Sequence, residues 1–360
     1  MARFLRLISM SLNGIRLWRA KMKRLFAVTA ALALLGLSIA AQAVTIATVP
    51  VGNAGNAGEL SGSGAGGYGP DRICGSVGYN YNIGKYEVTA GQYTEFLSAV
   101  AATDTYTLYN TEMSNTSYGS GITRVGVSGS YTYSVASDFI YRPVNYVSWG
   151  DSARFANWLH NGQPTGAQGL ATTEDGAYYL NSAMTNAQLL AVNREADWRW
   201  AITSEDEWYK AAYHKNDGVT GNYFDYPTTS NTASGQDMAD VSGNNANYYT
   251  PPNVYPIDSG KYTTVAGEFQ NSDSPYGTFD QGGNVWVWNE ALLDIDYRGL
   301  RGGSFGSSNG RLLASSRYYG YPTNEDNAIG FRVVAVPEPS SIIALAGGLI
   351  SVLGIRWRRA

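Results

Sequence analysis

Cysteine and histidine are almost absent from this sequence. Its 360 residues include one cysteine, Cys74, and two histidines, His160 and His214. A single thiol excludes an intramolecular disulfide, so the stability of the chain must come from packing or from a bound metal. The histidines stand in predicted loop or helix-end settings, which give no spacing on which a Ser/His/Asp arrangement could be argued.

Charged residues are also few, at 15% of the chain, whereas glycine (42 residues) and tyrosine (27 residues) are in excess. Hydrophobic residues make up 44% of the sequence, which is enough to bury a sizeable core. Glycine and tyrosine in such numbers favour a fold of turns, loops and short strands over a helical bundle.

Long apolar runs occur only at the two ends of the chain. At the N-terminal end, basic residues precede an apolar run over residues 25–40, and small residues follow it up to Ala43. This order is typical of a secretory signal peptide. Residues 1–43 are therefore predicted to be removed on export, with cleavage after Ala43 and Met22 as an alternative start.

The C-terminal end, residues 336–360, combines a Val-Pro-Glu-Pro sequence with an apolar run over residues 342–355 and a final arginine cluster. The run is shorter than the about 20 residues of a membrane-spanning helix, but flanking arginines can extend its reach. The order of these parts resembles the PEP-CTERM sorting signal, and an ordinary membrane tail is the alternative. The resemblance implies an exosortase as partner and transient anchoring in the inner membrane. It also implies a final place in the cell envelope or extracellular matrix of a Gram-negative bacterium.

The part between these ends is acidic. Residues 44–335 contain 15 Lys/Arg and 28 Asp/Glu, a net charge of −13. Such a charge argues against nucleic acid and anionic lipid as partners, and it is compatible with bound cations.

The exported part divides into a lead-in and a domain. Residues 44–78 are small and glycine-rich, which predicts a flexible lead-in, although residues 49–51 could add an edge strand. The domain, residues 79–335, contains three predicted capped helices that begin after Thr89, Ser148 and Ser204. Short helices between long turn-rich segments predict an α+β domain with helices packed on small, irregular sheets.

Paired glycines stand beside large aromatic rings within residues 274–332. Gly282 and Gly283 precede a tryptophan, and Gly302 and Gly303 precede a phenylalanine. The backbone is therefore predicted to pass close to bulky groups at positions where a Cβ atom would clash. On composition alone, structural turns in a β-rich domain would explain the same glycines.

Five motifs in order resemble the formylglycine-generating enzyme family, also called the sulfatase-modifying-factor domain. They lie at residues 83–89, 142–149, 204–208, 282–286 and 301–305. Together they cover nearly the whole chain between the two ends. The resemblance implies a C-type-lectin-like fold with little regular secondary structure.

The copper ligands of the family are missing from the corresponding part of this sequence. Formylglycine-generating members hold copper(I) with two cysteines a few residues after the Arg-Gly-Gly-Ser motif, and residues 306–311 contain no cysteine. Serine hydroxyls are hard, weak ligands that do not replace thiolates. Copper is therefore not expected in this chain.

Calcium is the cofactor that the resemblance favours. The family binds calcium through an asparagine side chain, the next carbonyl, and an aspartate about a dozen residues on. Asn247, Tyr248, Asp258 and the Gly260 carbonyl resemble that set, and oxygen ligands suit a hard cation. Ordinary turn residues are the alternative.

Seven further residues are expected to line the substrate groove of the family: Asp280, Asn284, Glu290, Arg301, Ser304, Arg317 and Tyr318. Polar residues that hold loops together by hydrogen bonds are the alternative interpretation. Two functions remain open at this point. One is a non-catalytic binding or scaffold module for an extracellular peptide or glycan. The other is an oxidase or other family enzyme with altered chemistry.

Overall fold

A computed structural model of the protein describes residues 43–250, 258 and 260–337. Nearly all of the predicted signal peptide and of the predicted sorting segment lies outside the described residues. Among the described residues, no helix is long and apolar enough to cross a membrane.

Four α-helices lie in the described part of the chain: α1 (Ala90–Val100), α2 (Trp149–His160), α3 (Asn186–Ala191) and α4 (Glu205–Tyr213). Each begins with a capping box, in which the N-cap side chain and the third helical residue satisfy each other's backbone N–H groups. The three helix starts predicted from sequence are confirmed. The α3 helix was not predicted.

The first sheet joins the two ends of the described chain. Its strand order is β1 (Thr48–Val51), β4 (Tyr81–Gly84), β12 (Val333–Ala335) and β7 (Trp200–Ile202), with every pair antiparallel. The edge strand expected at residues 49–51 is therefore confirmed as part of β1.

The second sheet has the order β10 (Tyr318–Gly320), β9 (Tyr297–Arg301), β8 (Trp286–Leu293) and β11 (Ile329–Phe331). The β8 strand pairs with β9 antiparallel and with β11 parallel. The β10 strand stands at the edge and pairs with β9 antiparallel. Two hairpins complete the strands of the described residues: β2 (Glu59–Ser61) with β3 (Arg72–Cys74), and β5 (Ile122–Val125) with β6 (Thr132–Val135).

Residues 44–78 differ from the flexible lead-in that their composition predicted. They supply β1, β2 and β3, and the side chains of Val51 and Cys74 are fully buried. Gly62 donates its N–H to the Ser315 carbonyl at 2.9 Å, which ties the segment to a distant part of the chain. The folded domain therefore begins before Tyr79, because strand pairing and burial hold this glycine-rich segment in place.

Aromatic rings from α1, α2 and the second sheet form the centre of the core. Phe155 of α2 lies 5.3 Å from Phe96 of α1 and 5.2 Å from Phe331 of β11, measured between ring centroids. Edge-to-face contacts of this kind add about 0.5–1.5 kcal/mol per pair beyond the burial of apolar area. Short helices packed on small sheets confirm the α+β class.

Candidate functional site

The seven predicted groove residues fall into separate clusters. Arg301 and Arg317 are both buried and converge on Glu205. The Nε atoms of Arg301 and Arg317 lie 2.9 and 2.8 Å from Glu205 Oε1. Burial alone would raise the pKa of Glu205, but the arginine charges outweigh it and lower that pKa to about 2. Arg301 and Arg317 therefore belong to a buried ion-pair cluster around Glu205.

Asp280 and Asn284 flank a second buried carboxylate, Glu87. Asn284 Nδ2 lies 3.4 Å from Glu87 Oε2. Burial, followed by the charge of Asp280, raises the pKa of Glu87 well above its usual range. Burial likewise raises the pKa of Asp280 to about 6.

Glu290 and Ser304 lie in two further environments. The Glu290 carboxylate accepts a hydrogen bond from Arg194 Nε at 2.7 Å and another from the Tyr178 hydroxyl. The Ser304 hydroxyl lies 3.2 Å from the Ser307 hydroxyl within one tight turn. Neither residue shares a hydrogen bond or ion pair with the clusters around Glu205 or Glu87 among the contacts of the described residues.

Tyr318 is the member of the seven that is exposed, at 41% of its surface. It lies on the edge strand β10 together with Tyr319, which is 40% exposed. Tyr297 of β9 and Tyr321, which is 41% exposed, lie beside them. We call these four residues the tyrosine surface.

The rings of the tyrosine surface form a continuous run. Centroid distances are 5.7 Å between Tyr318 and Tyr319, 4.6 Å between Tyr319 and Tyr297, and 4.8 Å between Tyr297 and Tyr321. Buried Trp286 extends the run by stacking on Tyr318 at 4.9 Å and an interplanar angle of 24°. The pairing of β10 with β9 and the Trp286 stack therefore hold the rings in fixed positions on an exposed sheet edge.

A cation lies at one end of this run. The Arg311 guanidinium lies 3.6 Å from the ring centroid of Tyr68 and 5.3 Å from that of Tyr318. Guanidinium groups attract the negative face of aromatic rings in this geometry. Arg311 therefore joins Tyr68, which is 47% exposed, to the tyrosine surface.

The phenol group of Tyr297 on this surface remains protonated at neutral pH. The Tyr297 hydroxyl donates a hydrogen bond to the Tyr321 hydroxyl at 3.4 Å, and this bond raises the pKa of Tyr297 to about 12. Each protonated phenol can both donate and accept a hydrogen bond. The surface therefore offers apolar ring faces with polar hydroxyl groups beside them.

Sequence reasoning found Tyr318 but missed Tyr297, Tyr319 and Tyr321. The available signal was three tyrosines within the four residues 318–321. Tyr297 joins them through the pairing of β9 with β10, which the sequence does not reveal.

Two cavities adjoin each other elsewhere in the molecule, each about 440 Å³ in volume. They share Tyr179 and Glu195 in their walls, and the first is also lined by His160, Asp175 and Asp197. None of the residues predicted from sequence lines either cavity. The carboxylates here are exposed, and their arrangement points to no particular chemistry.

Three of the four expected calcium ligands have hydrogen-bonding or ionic partners within the protein. The Asp258 carboxylate pairs with the Arg142 guanidinium, and the Tyr248 carbonyl accepts a hydrogen bond from Gln236. The Gly260 carbonyl accepts from the Ser117 hydroxyl at 3.1 Å. Calcium at this set would compete with Arg142 for the Asp258 carboxylate, whereas each carbonyl oxygen keeps a second lone pair.

Asn247 is the exception, because its Oδ1 atom is buried without a hydrogen-bond partner. Within residues 43–250, 258 and 260–337, no group of three or more His, Cys, Asp and Glu side chains could hold a metal ion. A cation in this region would therefore depend mainly on neutral oxygens.

Two solved structures resemble this fold over most of its length. "Treponema denticola variable protein 1" is 17% identical, with a TM-score of 0.51 over 82% of this chain and 97% of that one. "CarF" is 19% identical, with a TM-score of 0.51 over 82% of this chain and 99% of that one. At these identities the likeness shows the fold alone. No curated protein sequence matches the chain.

The family comparison covers most of the sequence. The family described as "Sulfatase-modifying factor enzyme 1-like domain" matches residues 72–336, which begin within the segment that was expected to be a lead-in. This match and the two solved structures bear out the expected C-type-lectin-like fold. The chain is therefore a member of the sulfatase-modifying factor enzyme 1-like family.

Proposed function

We propose that this protein is an exported, non-catalytic member of its family that binds a glycan of the extracellular matrix through the tyrosine surface. The supporting observation is the run of ring contacts from Trp286 through Tyr318, Tyr319 and Tyr297 to Tyr321. Large exposed apolar patches on soluble proteins often mark binding sites.

A glycan suits this surface on chemical grounds. The C–H faces of sugar rings pack against aromatic faces, and sugar hydroxyls exchange hydrogen bonds with phenol groups. The rings are already held by strand pairing and by one another, so little conformational entropy is lost on binding. A linear polysaccharide could contact several rings in succession because the run is continuous.

The alternative function, oxidation of a cysteine to formylglycine or related chemistry, lacks suitable thiols. Cys74 is fully buried, and Arg301 Nη2 lies 3.3 Å from its sulfur. Burial raises the pKa of the Cys74 thiol to about 11, so it remains protonated at neutral pH. Copper(I) needs thiolate ligands, and a buried thiol under a guanidinium group does not provide them.

The first prediction concerns the tyrosine surface. The double variant Tyr318→Ala/Tyr319→Ala should weaken binding to purified matrix polysaccharide of the producing cells by about tenfold or more, since each stacked ring contributes about 0.5–1.5 kcal/mol. Affinity electrophoresis in gels that contain the polysaccharide measures this change.

Tyr141→Ala is the matched control, because Tyr141 is 68% exposed and does not belong to the tyrosine surface. Unchanged affinity in the double variant, or an equal loss in the control, would contradict the proposed site. Copper-dependent oxidation of a Cys-x-Pro-x-Arg peptide by the parent protein would instead establish the oxidase alternative.

The second prediction concerns export and sorting, which we propose from residues 1–43 and 336–360. A C-terminal segment that an exosortase recognises would anchor the protein transiently in the inner membrane of a Gram-negative cell. Deletion of residues 336–360 should therefore give a soluble secreted protein instead of an envelope-attached one. Cell fractionation followed by immunoblotting measures the difference, and continued co-fractionation of the truncated protein with membrane would refute the assignment.

A further inference from the structure

Arg311 brings a positive charge without a counterion to one end of the tyrosine surface. Among the contacts of the described residues, its guanidinium has only ring partners, those of Tyr68 and Tyr318. The buried arginines, in contrast, bind carboxylates or main-chain carbonyls. Arg311 is only half-buried, and none of its nitrogen atoms is among the buried polar atoms that lack a partner. Its N–H donors therefore face solvent, where a ligand can reach them.

Backbone hydrogen bonds hold this cation and the ring beneath it in place. The Tyr68 carbonyl accepts the N–H of Arg317 at 2.8 Å, and Tyr68 forms a parallel bridge with Ser316. The Arg311 N–H donates to the Ser308 carbonyl at 2.9 Å. The stacked guanidinium is therefore positioned before a ligand binds, which reduces the conformational entropy lost on binding.

Negative charge lies at another part of the same surface. Asp294 and Asp296 are exposed in the turn that joins β8 to β9, directly before Tyr297. In the ring run, another tyrosine separates Tyr297 from Tyr318, the ring that lies near Arg311. An anionic group on a ligand would therefore be attracted to one end of the run and repelled from the other, which sets the direction of a bound chain.

The charge of the whole domain limits how many anionic groups such a ligand carries. Residues 44–335 contain 15 Lys/Arg against 28 Asp/Glu, so a densely charged polyanion would be repelled. One exposed arginine can still bind one carboxylate, because the planar fork of its N–H groups matches the two carboxylate oxygens. The surface therefore suits a chain in which carboxylates are separated by neutral sugars.

We propose that Arg311 binds a uronate carboxylate of the glycan, so that the tyrosine surface prefers a polysaccharide with spaced uronic-acid residues. This inference rests on the function proposed above and adds to it the chemical class of the glycan. The tyrosine rings pack against any sugar face, whereas Arg311 distinguishes acidic sugars from neutral ones.

The test compares two forms of one polymer with the full-length protein. Purified matrix polysaccharide of the producing cells is used as isolated and after chemical reduction of its carboxyl groups to primary alcohols, which removes the charge and keeps the order of the sugars. In affinity electrophoresis, the parent protein should bind the isolated polymer about three- to tenfold more tightly than the carboxyl-reduced polymer. Added salt should narrow this difference, because an exposed ion pair is screened.

Two substitutions at Arg311 and one control assign the preference to this residue. Arg311→Gln should bind both polymers about equally, and Arg311→Lys, which keeps the charge but not the fork, should retain only part of the preference. Arg199→Gln is the matched control, because Arg199 is exposed and does not belong to the tyrosine surface. The control removes the same charge and should keep the full preference of the parent.

The outcomes separate this inference from the proposed function. Equal binding of both polymers by the parent, or a full preference in Arg311→Gln, would overturn the role of Arg311 and leave glycan binding by the tyrosines in place. Loss of the preference in Arg199→Gln as well would assign it to net charge and also overturn that role. Failure of the parent to bind either polymer would refute the proposed function, and this inference with it.

Discussion

Replacement of Glu205 by glutamine is expected to lower the free energy of unfolding by about 3–5 kcal/mol, the usual cost of removing one partner from a buried ion pair. Glu205 is 2% exposed and binds three guanidinium groups, those of Arg72, Arg301 and Arg317. Arg301 and Arg317 are themselves buried, so the variant leaves two positive charges in the interior without a carboxylate. Chemical denaturation of the parent and the variant measures the difference.

Glu195→Gln is the matched control, because it removes the same charge from an exposed position. The control should change the free energy of unfolding by no more than about 0.5 kcal/mol. A loss of similar size in both variants would show that net charge, rather than the buried cluster, determines the effect.

The same carboxylate makes stability depend on pH. The folded pKa of Glu205 is lowered to about 2 from an ordinary value of 4.5. Its contribution is therefore fully present above pH 4.5 and is lost as the pH falls from 4.5 towards 2. In Glu205→Gln this part of the acid destabilisation should be absent.

The helices show which elements a local sequence pattern can predict. The boxes that begin at Thr89, Ser148 and Ser204 were recognisable because apolar residues follow them at helical spacing. Thr185 with Gln188 forms the same box, but the α3 helix that follows has six residues and buries only Leu189. A helix this short carries too little periodicity to be recognised.

Contacts between residues that are distant in the chain could not be predicted from the sequence. Arg301 stands in a glycine-rich motif, where an arginine suggests contact with a ligand. Its partner is instead Glu205, 96 residues away in the chain, with which it forms an ion pair inside the protein. The segment before Tyr79 was misread for a related reason. Its glycines are typical of a linker, whereas its β2 and β3 strands pair with each other and its β1 strand pairs with β4. The N–H of Gly62 also donates to the carbonyl of Ser315, far away in the chain.

The paired glycines, in contrast, behave as the sequence predicted. A Cβ atom on Gly302 would lie 2.6 Å from the Gln281 carbonyl oxygen and 3.1 Å from the Trp208 ring. One on Gly282 would lie 2.7 Å from Pro227. These close approaches explain why glycine is required in the turns just before β8 and just after β9.

Gly283→Ala is expected to destabilise the fold strongly, because both the backbone conformation and the space around Gly283 disfavour a side chain. Gly283 has a φ angle of +82°, and an added Cβ would lie 2.1 Å from the main-chain oxygen of Asn247. That oxygen cannot move away, because it accepts the N–H of Asn284 at 2.8 Å. Strain and overlap together should cost more than about 3 kcal/mol, measured by denaturation or as loss of soluble protein.

Gly129→Ala separates the two causes, since Gly129 has a φ of +95° but no atom within 4 Å of its added Cβ. The control should cost only about 1–2 kcal/mol, from the left-handed backbone alone. Equal losses in the two variants would mean that the contact with Asn247 contributes nothing, and that the backbone there yields to a side chain.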